Sequence, residues 1–549
     1  MRCRPQNLPF LPFLPFLPSP KPAVPETWCP PMNVICILMD SLNRHFLDLY
    51  GSELGVKTPN IDRLAERSAI FTNNYIGSMP CMPTRRDLWT GCLEFPWRNW
   101  GSLEPYDNPL PRVCRDNGVM SMLVTDHYHL WEHGGENYHA DFEGVEFIRG
   151  HENDMWATEP AEKLPWRSHC MERYHRNLAR FRHEEDYLSP RTFKAAGDWL
   201  EANHHAHDRF FLMIDEFDPH EPFHVPPPYD TLYDDDPEAR FFIWPEYGRP
   251  DYSEAEARHI RAQYAGKVTM ADRWLGRVLD RLDDFKLWDD TMVILMTDHG
   301  HFLGDHGWWG KPVCPQYEAI AHRPLLIHAP GDLKAGEEIG ALTTTVDFYP
   351  TILEGLGIDT CGIDARGAGI PRGAGVSPAT AAGETPAPRG IHGRSMLPLL
   401  DGRAESIRSS ALYGWFGGIT QVTDGRRTYM RGAQTPGNDP LYIYTNRWST
   451  APWWRIPMPD SRMEIGDFLP HANGMIVGRM PVEPDYMRTM SIPPEGVVRD
   501  NELYDITEDP TEERNLAGTD LEPQYEALMR DALKEIGAPE EMFVRLGLR

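Results

Sequence analysis

Residues 33–40 read NVICILMD and residues 291–299 read TMVILMTDH. Each is a short run of apolar, partly β-branched side chains without polar alternation, which predicts a fully buried strand. Each run then meets a carboxylate: Asp40 in the first, Asp298 followed by His299 in the second. A carboxylate placed directly after a buried strand is unfavourable without a cation or donors beside it. In open α/β sheets, ligands bind beyond the carboxyl ends of the strands. Two such carboxylates and an adjacent imidazole point to a divalent cation held by oxygens and one nitrogen. Taken singly, each Asp reads equally well as a helix N-cap.

The strand of the second run is Met292–Met296; working outward, Val119–Val124 and Phe210–Ile214 are further short apolar strands, and Tyr264–Phe285 has apolar residues at helical spacing. Ile61–Ala69 fits a short helix after the start signal of Pro59. Buried strands alternating with amphipathic helices predict a doubly wound α/β sheet. Residues 359–390, rich in Gly, Ala and Pro, read as a flexible surface loop. Beyond it, Ala411–Tyr413, Gly417–Val422 and Arg427–Arg431 read as antiparallel strands with a turn at Asp424–Gly425, followed by a helix over Gln524–Ile536. The expected organisation is a catalytic domain over 32–404 and a smaller α+β C-terminal subdomain over 405–549.

Residues 1–31 stand apart. Three LPF triplets and frequent prolines break any signal-peptide core. We read them as a disordered or artefactual extension, with Met32 as the start of the folded chain and the protein as cytoplasmic. The 549 residues carry 54 Lys+Arg against 82 Asp+Glu, a formal net charge of -28. That balance argues against nucleic acid as a partner, because phosphate backbones need clustered cations. No stretch approaches a membrane span. Nine cysteines without a CxxC pair suit a reduced compartment with mostly buried thiols.

One cysteine stands out. In GSMPCMPTRRDLWTG (77–91), Pro83 sits in the first turn of a predicted helix over Thr84–Thr90. Cys81 then lies near a helix N-terminus, where the helix dipole lowers a thiol pKa, with Arg85 one turn on. The plainer reading makes Cys81 a buried small hydrophobe and Arg85 a surface charge.

Cys81-Met82-Pro83-Thr84-Arg85 resembles the C-x-P-S/A/T-R signature of the sulfatases, within the alkaline phosphatase superfamily. Residues 57–75 (KTPNIDRLAERSAIFTNNY), 218–223 (DPHEPF), 297–312 (TDHGHFLGDHGWWGKP) and 502–517 (ELYDITEDPTEERNLA) resemble further sulfatase blocks in the same order. The resemblance implies an alkaline phosphatase-like α/β fold, a large mixed, mostly parallel sheet flanked by helices with a smaller α+β C-terminal subdomain, and hydrolysis of a sulfate ester. Cys81 would be converted to formylglycine, whose hydrated aldehyde is the nucleophile and whose second hydroxyl allows sulfate to be expelled. One divalent metal ion, with calcium the first choice and manganese or magnesium the alternatives, would bind Asp40, Asp298, His299 and the residue derived from Cys81. Arg85 would hold the formylglycine hydroxyl, and Lys311 would grip the sulfate and steady the leaving oxygen. His220 would act as general acid and touch the substrate, His129 would be a base, and His127 would stand where a substrate-binding lysine is usual. The implied partners are a small anionic ester and a formylglycine-generating enzyme.

Two departures leave the chemistry open. Asp40 is followed by Ser41 where many sulfatases have a second Asp, and Asp298 by His299 where many have Asn. The change softens the site towards manganese. Asp-His also occurs in the phosphonate monoester hydrolase and phosphodiesterase branch, which leaves that activity as the alternative, ahead of a non-catalytic anion-binding protein. A thiolate phosphatase is a weaker rival. Histidine in place of lysine at 127 makes the anion pocket pH-dependent. The aromatic clusters at Trp308–Trp309, 415–418 and 447–457 fit either a sugar or aryl platform or internal packing.

Overall fold

The computed structural model describes residues 30–132, 134–160, 172–236, 242–312, 314–360, 390–435, 437–448, 459–472, 474–482 and 500–549. Nearly all of the extension and of the 359–390 loop lies outside these residues.

The strands of the main sheet are β1 (Asn33–Met39), β2 (Ala69–Tyr75), β4 (Met120–Thr125), β5 (Gly144–Phe147), β6 (Phe210–Glu216), β7 (Thr291–Met296), β10 (His322–His328), β11 (Glu338–Ile339) and β12 (Thr343–Thr344). Their order is β11-β2-β10-β7-β1-β6-β4-β5, with β12 also on β2. From β7 to β5 every pairing is parallel, and β10 runs antiparallel to both β7 and β2. The sheet is therefore mixed and mostly parallel, as expected. Every residue of β1, β6 and β7 is buried, which explains why these strands read as continuous apolar runs. Full burial of each Ile or Leu along them contributes roughly 1.5–3 kcal/mol.

Helix α1 spans Pro59–Ala65, and Ala69, expected at its end, already opens β2. The helix lacks a side-chain N-cap of its own. Asp272 supplies one, accepting from the backbone N–H of Asn60 at 3.1 Å and of Ile61 at 2.7 Å. Asp272 lies on the helix Glu254–Asp284, which starts ten residues before the predicted Tyr264. Its start is fixed by a capping box in which Ser253 and Glu256 satisfy each other's backbone N–H.

A second sheet has the order β19-β15-β14-β13-β3, formed by β3 (Ser78–Met79), β13 (Ala411–Trp415), β14 (Thr420–Thr423), β15 (Arg427–Arg431) and β19 (Glu502–Asp505). Its strands match the expected antiparallel set, with β14 starting at Thr420 rather than Gly417. The edge strand β3 comes from the N-terminal half and pairs parallel with β13, so the segment leading into Cys81 is anchored on the C-terminal sheet. Smaller sheets join β8 (Phe302–Leu303) to β9 (Trp309–Gly310) and β16 (Tyr442–Thr445) to β18 (Val477–Pro481) and β17 (Glu464–Gly466). The helix Glu522–Glu535 places Tyr525, Met529 and Leu533 in the core beneath the second sheet. Trp308, Trp309, Trp415 and Phe416 are buried in the hydrophobic clusters, which settles the packing reading for them. Residues 449–457 of the remaining aromatic cluster lie outside the described residues.

Candidate active site

Helix α2 (Cys81–Thr90) begins at Cys81 itself. Asp87, one and a half turns in, accepts from Ser78 N–H at 2.6 Å, Ser78 Oγ at 2.9 Å and Glu94 N–H at 2.9 Å. This clamp fixes the start of α2 against β3. It points Cys81 at the carboxyl ends of β1 and β7, where Asp40, Asp298 and His299 lie.

One donor atom from each of Asp40, Cys81, Asp298 and His299 lies within 4.8 Å of the others, and all four residues are buried. Cys81 Sγ is 3.3 Å from His299 Nε2. His299 Nδ1 faces the Gly300 carbonyl at 2.8 Å, so the proton sits there and the Nε2 lone pair is left to the cluster. Asp298 Oδ1 accepts from the backbone N–H of Ser41 at 3.0 Å and of His299 at 2.8 Å. Asp40 Oδ1 accepts from Ser41 Oγ at 2.8 Å, while its buried Oδ2 makes no well-aligned hydrogen bond. Burial and the neighbouring Asp298 push the Asp40 carboxyl well above the usual carboxylate range. Burial works against Asp298 too, but His299 and Arg85 hold it below that range. Two facing carboxylates, one driven to keep a proton and one ionised, form a donor set that a divalent cation fits in place of the proton.

Arg85 supplies fixed positive charge. Its guanidinium lies 2.6 Å from Asp215, 3.0 Å from Asp40 and 2.9 Å from Asp298, and Nη1 donates to the Cys81 carbonyl at 3.2 Å. It is fully buried, so the surface-charge reading fails. Burial opposes its charge, but the three carboxylates keep it firmly cationic. The expected lowering of the Cys81 thiol pKa is overturned. Burial, followed by the adjacent Asp40, pushes that thiol well above its ordinary value. One turn of helix dipole does not offset full desolvation beside two carboxylates.

Lys311 Nζ lies 2.5 Å from His220 Nε2, 3.3 Å from Glu221 Oε2 and 3.4 Å from Ser41 Oγ. Glu221 is in turn held by His301 Nε2 at 2.6 Å. His220 Nδ1 faces the Glu221 carbonyl at 2.7 Å and Glu152 Oε1 at 3.2 Å. Burial and Lys311 hold His220 well below the ordinary imidazole pKa. His127 Nε2 is 3.6 Å from Asp40 Oδ2, and neither ring nitrogen makes a hydrogen bond. Burial and Arg85 keep His127 neutral, so its titration moves far below neutrality. His129 pairs through Nδ1 with Glu132, and its Nε2 is 3.7 Å from Glu152.

The structure thus gathers Cys81, Arg85, Asp40, Asp298, His299, Lys311, His220, His127 and His129 at one end of the main sheet. It adds residues that the sequence reading did not single out. Asp215 ends the apolar run FFLMID, the signal that marked Asp40. Glu221 and His301 lie inside blocks already quoted. Glu152, in a loop with φ +39°, carried no sequence signal; burial pushes its carboxyl up to about 7.

Asp40, Cys81, Asp298 and His299 thus form a donor set that could hold a metal ion, on an alkaline-phosphatase-like fold. The Sulfatase family model matches residues 32–358, and the chain belongs to the sulfatase family, which places it among the sulfuric ester hydrolases. It is 26% identical over 451 residues to the multifunctional alkaline phosphatase superfamily protein PehA of Trinickia caryophylli, covering 69% of this chain and 79% of that protein. It is 26% identical over 361 residues to the choline-sulfatase of Rhizobium meliloti, covering 59% and 68%. The phosphonate monoester hydrolase of Agrobacterium radiobacter superposes with a TM-score of 0.61 over 92% of this chain and 95% of that one, at 18% identity, a likeness of fold. Among the described residues, no helix is long and apolar enough to cross a membrane.

Proposed function

We propose that the protein hydrolyses the sulfate ester of a small anionic substrate, using formylglycine derived from Cys81. The observation that carries this reading is the meeting of Cys81 with Asp40, Asp298 and His299 within 4.8 Å. Asp40, Asp298, His299 and the modified residue 81 would hold one divalent cation, with calcium, manganese and magnesium all compatible and His299 favouring manganese. Together the cation and the hydrated aldehyde supply a nucleophilic oxygen at neutral pH and a Lewis acid for the sulfate charge.

The chain's own residues do the rest. Arg85 offsets one of the charges of Asp40, Asp215 and Asp298 and the divalent cation would offset the other two, so an anion approaching residue 81 would meet a site that is not net repulsive. Lys311 would take the sulfate, and on turning towards it would release the Nε2 of His220. The freed Nε2 would take up a proton from solvent, with Glu152 beside Nδ1 stabilising the charged ring, and pass it to the oxygen of the departing alcohol. His129, backed by Glu132 and Glu152, is the base at residue 81. His127 lines the anion pocket as a neutral imidazole. The strongly acidic chain disfavours polyanions and suits a small ester. Cys81 is 2% exposed, so a formylglycine-generating enzyme would act before the chain folds.

A second reading keeps the site and changes the substrate to phosphonate monoesters or phosphate diesters. His299 in the metal set favours it. Matched aryl esters of sulfate and phenylphosphonate, assayed on formylglycine-loaded enzyme, separate the two. A higher kcat/KM for the sulfate supports the first reading, and the reverse order establishes the second.

A further inference from the structure

A second buried donor cluster lies beside the first, at the carboxyl ends of the neighbouring strands β4 and β6. One donor atom each from Asp126, His151 and Asp218 lies within 4.8 Å of the others, and all three residues are buried. Asp126 directly follows β4, and Asp218 follows β6 by two residues. The ring of Phe217 stands 4.1 Å from that of His127 and 4.3 Å from that of His151, between the two clusters.

The groups in this cluster do not satisfy one another. His151 is 0% exposed, and neither ring nitrogen makes a hydrogen bond. Its Nε2 stands 3.4 Å from Asp218 Oδ1 without the alignment of a hydrogen bond. Asp126 Oδ1 accepts from the Phe217 N–H at 2.7 Å, but Oδ2 is buried without a partner. Glu216 adds a third carboxylate. Ser189 Oγ lies 2.8 Å from Glu216 Oε1 and 2.6 Å from Asp218 Oδ2, and one hydroxyl hydrogen cannot serve both. Glu216 Oε2 is also unpartnered. The cation in contact is Lys267, whose Nζ is 2.6 Å from Asp218 Oδ1 and donates to the carbonyls of His220 and Pro222. Ionised, the three carboxylates would carry two negative charges beyond that of Lys267, and burial with mutual repulsion therefore pushes Asp126 and Glu216 well above the usual carboxylate range unless a cation takes the place of their protons.

We propose that Asp126, His151 and Asp218 form a second divalent-cation site, separate from that of Asp40, Asp298 and His299. Two positive charges balance the excess, and the unpartnered imidazole supplies a nitrogen donor. One nitrogen with carboxylate oxygens suits manganese or zinc better than calcium.

The test is metal stoichiometry. Protein stripped with chelator and titrated with Mn2+ by calorimetry should take up two ions per chain. His151→Gln, which keeps bulk and polarity but not the ring, should take up one, and Asp298→Asn should lose the other while keeping this one. Elemental analysis of the reloaded, desalted proteins checks the same counts. A parent that binds a single ion, lost in Asp298→Asn, overturns the proposal, as does a His151→Gln variant that still binds two. The parent titration needs no variant to fold. Because Asp298→Asn reports on the other cluster, failure here leaves the proposed reaction standing.

Discussion

Lys311 Nζ and His220 Nε2, 91 positions apart in the chain, face each other at 2.5 Å. With its Nδ1 turned to the Glu221 carbonyl, His220 offers Nε2 as an acceptor, and the ammonium of Lys311 occupies it. The two groups expected to hold the sulfate and protonate the leaving oxygen are therefore coupled before any substrate arrives. His220→Gln should lose ~10²–10⁴-fold in kcat for alkyl sulfates and much less for 4-nitrophenyl sulfate, whose phenolate leaves without a proton. A uniform loss across leaving groups, in a plot of rate against leaving-group pKa, would remove the acid role.

Asp298→Asn keeps the shape of the side chain and removes the ionised member of the carboxylate pair. Metal affinity should fall by at least about tenfold, or more than about 1.4 kcal/mol. Calorimetric titration with Mn2+ and Ca2+ checks this, and an unchanged affinity would contradict the donor set.

Arg85 is fully buried and touches three carboxylates. Arg85→Met should destabilise the protein by about 3–5 kcal/mol, because it strands buried charge. Urea unfolding of metal-free parent and variant measures this. A loss under about 1 kcal/mol would show that the cluster keeps its protons without the guanidinium.

His392 accepts the Leu93 N–H through Nδ1 at 2.9 Å and is pushed down to about 4 by burial and then by Arg408. The unfolded chain protonates this ring near pH 6.5. Between these values the unfolded state binds more protons, so stability is fully present above pH ~6.5 and falls as pH drops towards ~4, by up to about 3 kcal/mol. Urea unfolding between pH 7.5 and 4 should show a shallower pH slope for His392→Asn than for the parent. Equal slopes would contradict a part-buried, neutral His392.

Much of this site was legible because its residues follow simple strands. Asp40 and Asp298 end apolar runs, and Cys81, Arg85, His220 and Lys311 lie in short motifs with fixed spacing. The Cys81 thiol was misjudged because a helix dipole is visible in sequence and desolvation is not. Helix α1 ran too long in the reading because apolar residues continue from the helix into β2, where tertiary pairing decides. Glu152 and His151 could not be found from sequence. They reach the site through loop conformation, and neither periodicity nor a flanking strand marks them.

The central claim is the identity of residue 81. The most direct measurement is the mass of the tryptic peptide Ser68–Arg85, which contains Cys81 as its single cysteine, from protein co-expressed with a formylglycine-generating enzyme. The account predicts an aldehyde mass that reacts with a hydrazide probe, with that peptide unchanged when the enzyme is added only after folding. An unmodified thiol in active protein would contradict it.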